Sequence, residues 1–156
     1  SAALTSFRNW PAFSSTSSGV MRTLYSAHDL PPPRQYPRQE TLVTRGEYAE
    51  AAGYYRDHLV VEPDDNEARL RLAVLLENHL GDDAGAEALY KEVRALAPRP
   101  REEVAASDGL IDLYRRTGQT GRLMGELARF AERYRGSAAG EAARRELTDL
   151  KKEGAP

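Results

Sequence analysis

The chain has 156 residues, of which 40% are apolar and 29% are charged, a composition typical of globular proteins with a charged surface. Its net charge of −2 gives no overall electrostatic basis for binding nucleic acid. The chain contains no cysteine, which excludes disulfides, thiolate metal sites and cysteine nucleophiles, and no apolar run approaches the roughly 20 residues of a membrane helix.

Residues 1–37 differ in composition from the rest of the chain. They hold five of the nine prolines and only four charged side chains, and Val20 and Leu24 predict no more than a short turn of helix within 19–28. They also hold five of the chain's aromatic residues, including its only tryptophan, although a plain linker is usually poor in aromatics. We interpret this segment as an extended arm with these partner-binding anchors: Phe7, Trp10, Phe13, Tyr25 and Tyr36. The alternatives are that the arm packs on its own domain or fills a groove of a neighbouring copy.

From residue 38 onward the chain is rich in Ala, Leu, Glu and Arg, with apolar residues at helical spacing and no strand pattern. The spacing and the Gly and Pro breaks predict an all-α domain with helices over 38–45, 47–61, 67–80, 84–97, 101–117, 122–135 and 138–152. Either Asp65 or Asn66 is predicted to cap the third helix. Residues 153–156 form a tail.

One sequence pattern occurs twice in the helical part of the chain. The stretch GEYAEAAGYYRDHLVVEP starts at Gly46, and GDDAGAEALYKEVRALAP starts 35 residues later at Gly81. Glycine, alanine, tyrosine and proline recur at matching positions, in the pairs Gly46/Gly81, Ala51/Ala86, Tyr55/Tyr90 and Pro63/Pro98. A fixed period near 34 residues indicates stacked helical pairs, because one pair cannot bury its apolar face alone.

These residues resemble the second helix of a tetratricopeptide repeat, and the resemblance covers about residues 38–152. It implies a short α-solenoid of antiparallel helix pairs, with 138–152 as a capping helix. A third copy departs from the pattern, with Leu123 and Leu127 at the alanine and tyrosine positions and no proline after them. The family binds peptides or proteins on a concave face, where the resemblance places Arg71, Leu75, Asn78, Asp108, Asp112 and Arg115.

Residues that could perform catalysis or bind a metal are few. His58 and Glu62 stand four residues apart on one helix, a spacing that two metal ligands could use, but no third ligand is evident. The paired acids Asp64-Asp65 and Asp82-Asp83 lie at turns before helices, where carboxylates cap helix N-termini. We therefore expect no enzyme activity, no metal and no cofactor.

The sequence thus predicts a non-catalytic protein-interaction subunit that docks on and stabilises a larger multi-subunit assembly, with the arm as a staple. The assembly is either a soluble enzyme or the extrinsic face of a membrane complex, such as a respiratory or photosynthetic one. The alternative is a freestanding adaptor that binds a peptide in the concave groove. We expect a cytoplasmic location or one peripheral to a membrane complex, and a periplasmic one if a leader was removed before Ser1.

Overall fold

The computed structural model describes residues 34–96 and 98–154, and this part of the chain is all-helical, without a strand, as the sequence predicts. Within these residues there are seven α-helices, and the third continues into a π-helical turn over Leu76–Leu80. The helices are α1 Pro37–Thr44, α2 Tyr48–Val61, α3 Asn66–Leu75, α4 Asp83–Ala95, α5 Pro100–Arg116, α6 Thr120–Arg133 and α7 Ala138–Glu153.

Side-chain caps begin three of these helices. Asp65 caps α3, because its Oδ1 accepts a hydrogen bond of 3.1 Å from the N–H of Ala68. Asp82 caps α4 in the same way, and Ser137 caps α7. Each cap satisfies one of the N–H groups that a helix start leaves without a partner.

A glycine with positive φ ends each of the turns before α2, α4 and α6. The φ angles are 78° at Gly46, 66° at Gly81 and 68° at Gly118, a region that other residues enter only with strain. The residue after each glycine donates its N–H back to the preceding helix: Glu47 to the carbonyl of Leu42, Asp82 to Leu76 and Gln119 to Tyr114. The hydrogen bond before α4, from Asp82 to Leu76, spans one residue more than the corresponding bonds before α2 and α6. The π turn over Leu76–Leu80 contains this additional residue.

Each helix packs on the next one along the chain, and α3 also packs on α5. One continuous hydrophobic core runs from Tyr36 to Ala143. Every helix contributes to it, for example through Leu42, Tyr55, Leu72, Tyr90, Leu110, Leu127 and Ala143. The contact between α4 and α5 is close, because a Cβ at Gly109 would lie only 2.4 Å from the ring of Tyr90.

Candidate functional site

The best-connected polar group of the domain is the carboxylate of Asp65, whose side chain is only 2% exposed. Tyr36 donates its hydroxyl to both carboxylate oxygens at 3.0 Å, and Nε2 of His58 lies 2.8 Å from Oδ2. Nη1 of Arg34 donates to the same Oδ2 at 2.9 Å and to Oε2 of Glu62 at 2.8 Å. We call Arg34, Tyr36, His58, Glu62 and Asp65 the Asp65 cluster.

The ring of Tyr36 is buried in the same place. It is 4% exposed and meets the rings of Tyr55 and His58 edge-on, with centroid distances of 5.5 Å in both cases. The guanidinium carbon of Arg71 lies 5.0 Å from the centroid of the Tyr36 ring. The ring and hydroxyl of Tyr36 are therefore engaged within the domain. The other predicted anchors, Phe7, Trp10, Phe13 and Tyr25, lie outside the described residues.

These contacts set the protonation of the cluster. Burial alone would raise the pKa of Asp65, but hydrogen bonds from His58, the Ala68 N–H and Tyr36, together with the charge of Arg34, hold that pKa below its ordinary value. Burial raises the pKa of the Tyr36 hydroxyl, and the adjacent Asp65 carboxylate raises it further. The carboxylate therefore stays ionised and Tyr36 stays a donor.

The cluster also contains a third potential metal ligand that the sequence did not indicate. His58, Glu62 and Asp65 each offer one ligand atom, and these three atoms lie within 4.8 Å of one another. Arg34, however, places its guanidinium on both carboxylates. The carboxylates of Glu62 and Asp65 together bind the guanidinium group of Arg34. This contact holds the chain at residue 34 against the junction between α2 and α3.

Charged side chains on α1, α3 and α5 bind one another across these helices. Nη1 of Arg71 on α3 donates to Glu40 on α1 at 2.8 Å, and its Nη2 donates to Glu67 at 3.2 Å. Nη2 of Arg101 on α5 lies 3.9 Å from the same Glu67 carboxylate. We call Glu40, Glu67, Arg71 and Arg101 the ion-pair ladder over α1, α3 and α5. Arg71, which was predicted to face a binding partner, is therefore bound to two carboxylates of the domain itself.

The other five predicted concave-face residues are placed differently from one another. Leu75 is a core residue at 4% exposure, and Asn78 is exposed on the π turn. Asp108 is half-buried on α5. Asp112 and Arg115 form an ion pair with each other, and Nη2 of Arg115 donates to Glu146 on α7 at 2.9 Å. Arg115 therefore joins α5 to α7.

An apolar groove between α2 and α4 has no counterpart in the sequence prediction. It has a volume of about 380 Å³, and its lining residues are Arg56, Leu59, Val60, Leu72, Leu76, Asp82, Gly85, Ala88 and Leu89. Val60 is 82% exposed at its edge, and the neighbouring Val61, outside the groove, is 80% exposed. The sequence shows two consecutive valines at the end of α2, and neither of them belongs to the buried core. Of the two, Val60 lines the groove.

Protein-family models, curated proteins and solved structures were each compared with the chain, and none of the three comparisons gave a match. In the part of the chain that the structure describes, no helix combines the length and apolar character needed to cross a membrane.

Proposed function

We propose that this chain is a non-catalytic protein-interaction subunit. Its helices form a short tetratricopeptide-like solenoid of antiparallel pairs, and the solenoid docks on a larger assembly. The segment before Arg34 forms the arm that staples the subunit to that assembly, since Arg34, Tyr36 and Pro37 belong to the helical domain. The partner is a protein, either a soluble enzyme or the extrinsic face of a membrane complex.

Three features of the fold support the solenoid. The repeated alanines Ala51 and Ala86 are fully buried, as a close contact within a helix pair requires. The repeated tyrosines Tyr55 and Tyr90 are also buried, and Tyr90 lies against the next helix at Gly109. Helix contacts run between chain neighbours and from α3 to α5, the short-range pattern of repeat proteins.

The observation that carries the function is the Asp65 cluster. It ties Arg34 and Tyr36 to the domain, so the aromatic-rich segment before them starts from a fixed point on the domain surface. A tethered segment with spaced aromatic residues can bind a second protein with little loss of freedom at its base. Trp10 and Phe13 are the residues that we expect to contact the partner.

The first experiment is the native mass of the protein in a gentle extract of its source, with and without mild detergent, followed by identification of co-migrating proteins. The proposal expects a large particle, and detergent sensitivity would indicate a membrane complex. A mass near the 17.3 kDa of the single chain would contradict it.

The arm is tested by Trp10→Ala, with Trp10→Phe as the matched control that keeps an aromatic ring. Losing an anchor of this kind weakens an interface by about 2 kcal/mol, roughly 30-fold in affinity. We expect Trp10→Ala to release the subunit from the particle and Trp10→Phe to retain most of the binding. Unchanged assembly of Trp10→Ala would exclude Trp10 as the staple.

The adaptor alternative places a peptide on the concave face. The charged residues there already bind one another through the ion-pair ladder and through Arg115–Glu146, and a peptide would have to displace these pairs. This favours the staple. Charge reversal at Arg115 discriminates the two, because Arg115→Glu would abolish peptide binding at this face but leave an assembly held by the arm largely intact.

A further inference from the structure

The Asp65 cluster holds one imidazole nitrogen and two carboxylates at separations that suit a small metal ion. His58, Glu62 and Asp65 each offer one ligand atom, and these atoms lie within 4.8 Å of one another. A tetrahedral ion with metal–ligand distances of roughly 2.1 Å needs its ligand atoms about 3.4 Å apart. Because the Glu62 side chain is 51% exposed, it can rotate to bring its oxygen closer to the other two ligand atoms.

The two less exposed ligands are already held in place by the fold. The ring of Tyr36 packs edge-on against His58, and Nε2 of His58 lies 2.8 Å from Oδ2 of Asp65. Oδ1 of Asp65 accepts hydrogen bonds from Tyr36 and from the N–H of Ala68. Metal-binding side chains are commonly oriented by such hydrogen bonds to the atoms that do not bind the metal. Oδ2 can therefore bind an ion while Oδ1 keeps its present partners.

The position between the two carboxylates already holds a positive charge. Nη1 of Arg34 lies 2.8 Å from Oε2 of Glu62 and 2.9 Å from Oδ2 of Asp65. The Arg34 side chain is 53% exposed, so its guanidinium can leave this position and be solvated. Ion pairs of such exposed groups are weak. An ion that bonds directly to both carboxylates and also to an imidazole has a ligand that the guanidinium does not use.

The donor set selects the kind of ion. One imidazole nitrogen and two carboxylate oxygens match the ligands of Zn²⁺, whereas Mg²⁺ and Ca²⁺ are bound by oxygen ligands. Since an ionised carboxylate only accepts, Nε2 of His58 carries the hydrogen of its bond to Asp65. When Nε2 binds a metal, the neutral ring carries its hydrogen on Nδ1 instead.

We propose that the cluster is a Zn²⁺ site, in which His58, Glu62 and Asp65 bind the ion. Zn²⁺ enters by displacing the guanidinium of Arg34 from the two carboxylates. Tyr36 keeps its hydrogen bond to Oδ1 of Asp65, so the helical domain stays folded. Zn²⁺ thereby releases the Arg34 side chain from the junction between α2 and α3. This site does not depend on the identity of the partner assembly, because it lies within the chain itself.

The first test compares two histidines in the untagged full-length chain, with Zn²⁺ affinity measured by competition with a chromophoric chelator. The chain has no cysteine, so thiolates do not contribute. His58→Gln should weaken Zn²⁺ binding at least tenfold, since losing a ligand costs no less than losing a group that orients one. His79→Gln, at an exposed histidine stacked on Tyr48, is the control and should leave the affinity within about twofold. No Zn²⁺ binding by the wild type, or equal effects of the two variants, would overturn the proposal.

Glu62→Gln keeps the test valid even if His58→Gln fails to fold, because Glu62 is exposed. Circular dichroism verifies the helix content of each variant. Glu62→Gln should weaken Zn²⁺ binding at least tenfold. Asp64→Asn removes an exposed carboxylate two residues away and should change the affinity by less than about twofold. Equal losses would show a general effect of negative charge, and Mg²⁺ binding as tight as that of Zn²⁺ would show a plain carboxylate site; either result would refute a Zn²⁺ site with a histidine ligand.

Displacement of Arg34 is tested by Arg34→Gln. A site that is closed in most chains binds with an apparent affinity reduced by the open fraction, so removing the competing guanidinium should tighten Zn²⁺ binding about tenfold. Arg38→Gln is the matched control, because Arg38 is an exposed arginine on α1 that lies over the ring of Tyr54. It changes the net charge equally and should alter the affinity by less than about twofold. Unchanged or weaker binding in Arg34→Gln, or equal tightening in both variants, would contradict displacement.

Discussion

The two ends of α3 each hold a buried carboxylate, and their pKa values move in opposite directions. Asp65, before the first residue of the helix, is 2% exposed and has a lowered pKa. Glu77, in the π turn at the other end, is 8% exposed, and burial raises its pKa. The two side chains are buried to similar extents, so burial does not explain the difference.

The difference lies in the donors that each carboxylate receives. Asp65 accepts from a backbone N–H, a tyrosine hydroxyl, a histidine and an arginine, and it lies at the positive end of the helix dipole. Glu77 accepts from the hydroxyl of Tyr90 at 3.0 Å and from the half-exposed Arg116 only at 3.4 Å. Several short hydrogen bonds to a buried carboxylate lower its pKa and keep it ionised, whereas burial with few such bonds raises its pKa.

Changing each acid to its amide tests this comparison, and the larger effect is expected at Asp65. Asp65→Asn keeps the helix cap and removes the charge, so we expect a loss of about 2 kcal/mol in the free energy of unfolding, the range of charge-assisted hydrogen bonds. Urea denaturation at pH 7 measures it. Asp64→Asn, at the exposed neighbouring position, is the control and should stay within about 0.5 kcal/mol of the wild type. A loss at Asp65 no larger than this control would refute the role assigned to the cluster.

Acidification should remove the same stabilisation gradually. Since the pKa of Asp65 is lower in the folded chain, its ionised form stabilises the fold above the unfolded pKa of about 3.9, and this contribution is lost as the pH falls through the folded pKa. The difference in unfolding free energy between wild type and Asp65→Asn should therefore shrink between about pH 5 and pH 2. A difference that stays constant over this range would show that the charge of Asp65 is not what the substitution removes.

At Glu77 the smallest effect is expected, with the opposite pH dependence. Its pKa is raised in the folded chain, so its contribution is fully present below the unfolded pKa and is lost as the pH rises through the folded value. Glu77→Gln still accepts from Tyr90 and should be within about 1 kcal/mol of the wild type at pH 7, neutral or more stable. Relative to wild type it should become less stable on acidification. If Glu77→Gln lowered the free energy of unfolding at pH 7 as much as Asp65→Asn does, the two carboxylates would not differ in the way that we infer.

The sequence predicted the local features of α3 but not its long-range contacts. Asp65 was one of two candidate caps with Asn66, because capping depends on residues within one turn of the helix. Its bonds to Arg34 and Tyr36 join positions about 30 residues apart, and no spacing rule relates them. For the same reason, Tyr36 was grouped with the arm although its side chain lies in the core of the domain.

The helices were predicted to within a few residues of their observed ends, but the helix predicted over 67–80 is α-helical only to Leu75. Hydrophobic periodicity does not distinguish an α turn from a single π turn, since both keep the same side chains inward over so short a distance. The placement of Arg71 and Arg115 on a concave face stays a prediction, and the sequence did not indicate that neighbouring helices supply their ion-pair partners.

The π turn also bears on how this chain can change in length over evolution. A one-residue insertion in a regular helix normally rotates everything after it by about 100°, so that apolar and polar positions exchange places. Here the extra residue is confined between Leu76 and Gly81, and α4 still starts with its cap and presents Ala86 and Tyr90 to the core. A π turn at this junction can therefore accommodate one residue of extra length without loss of the packing on either side.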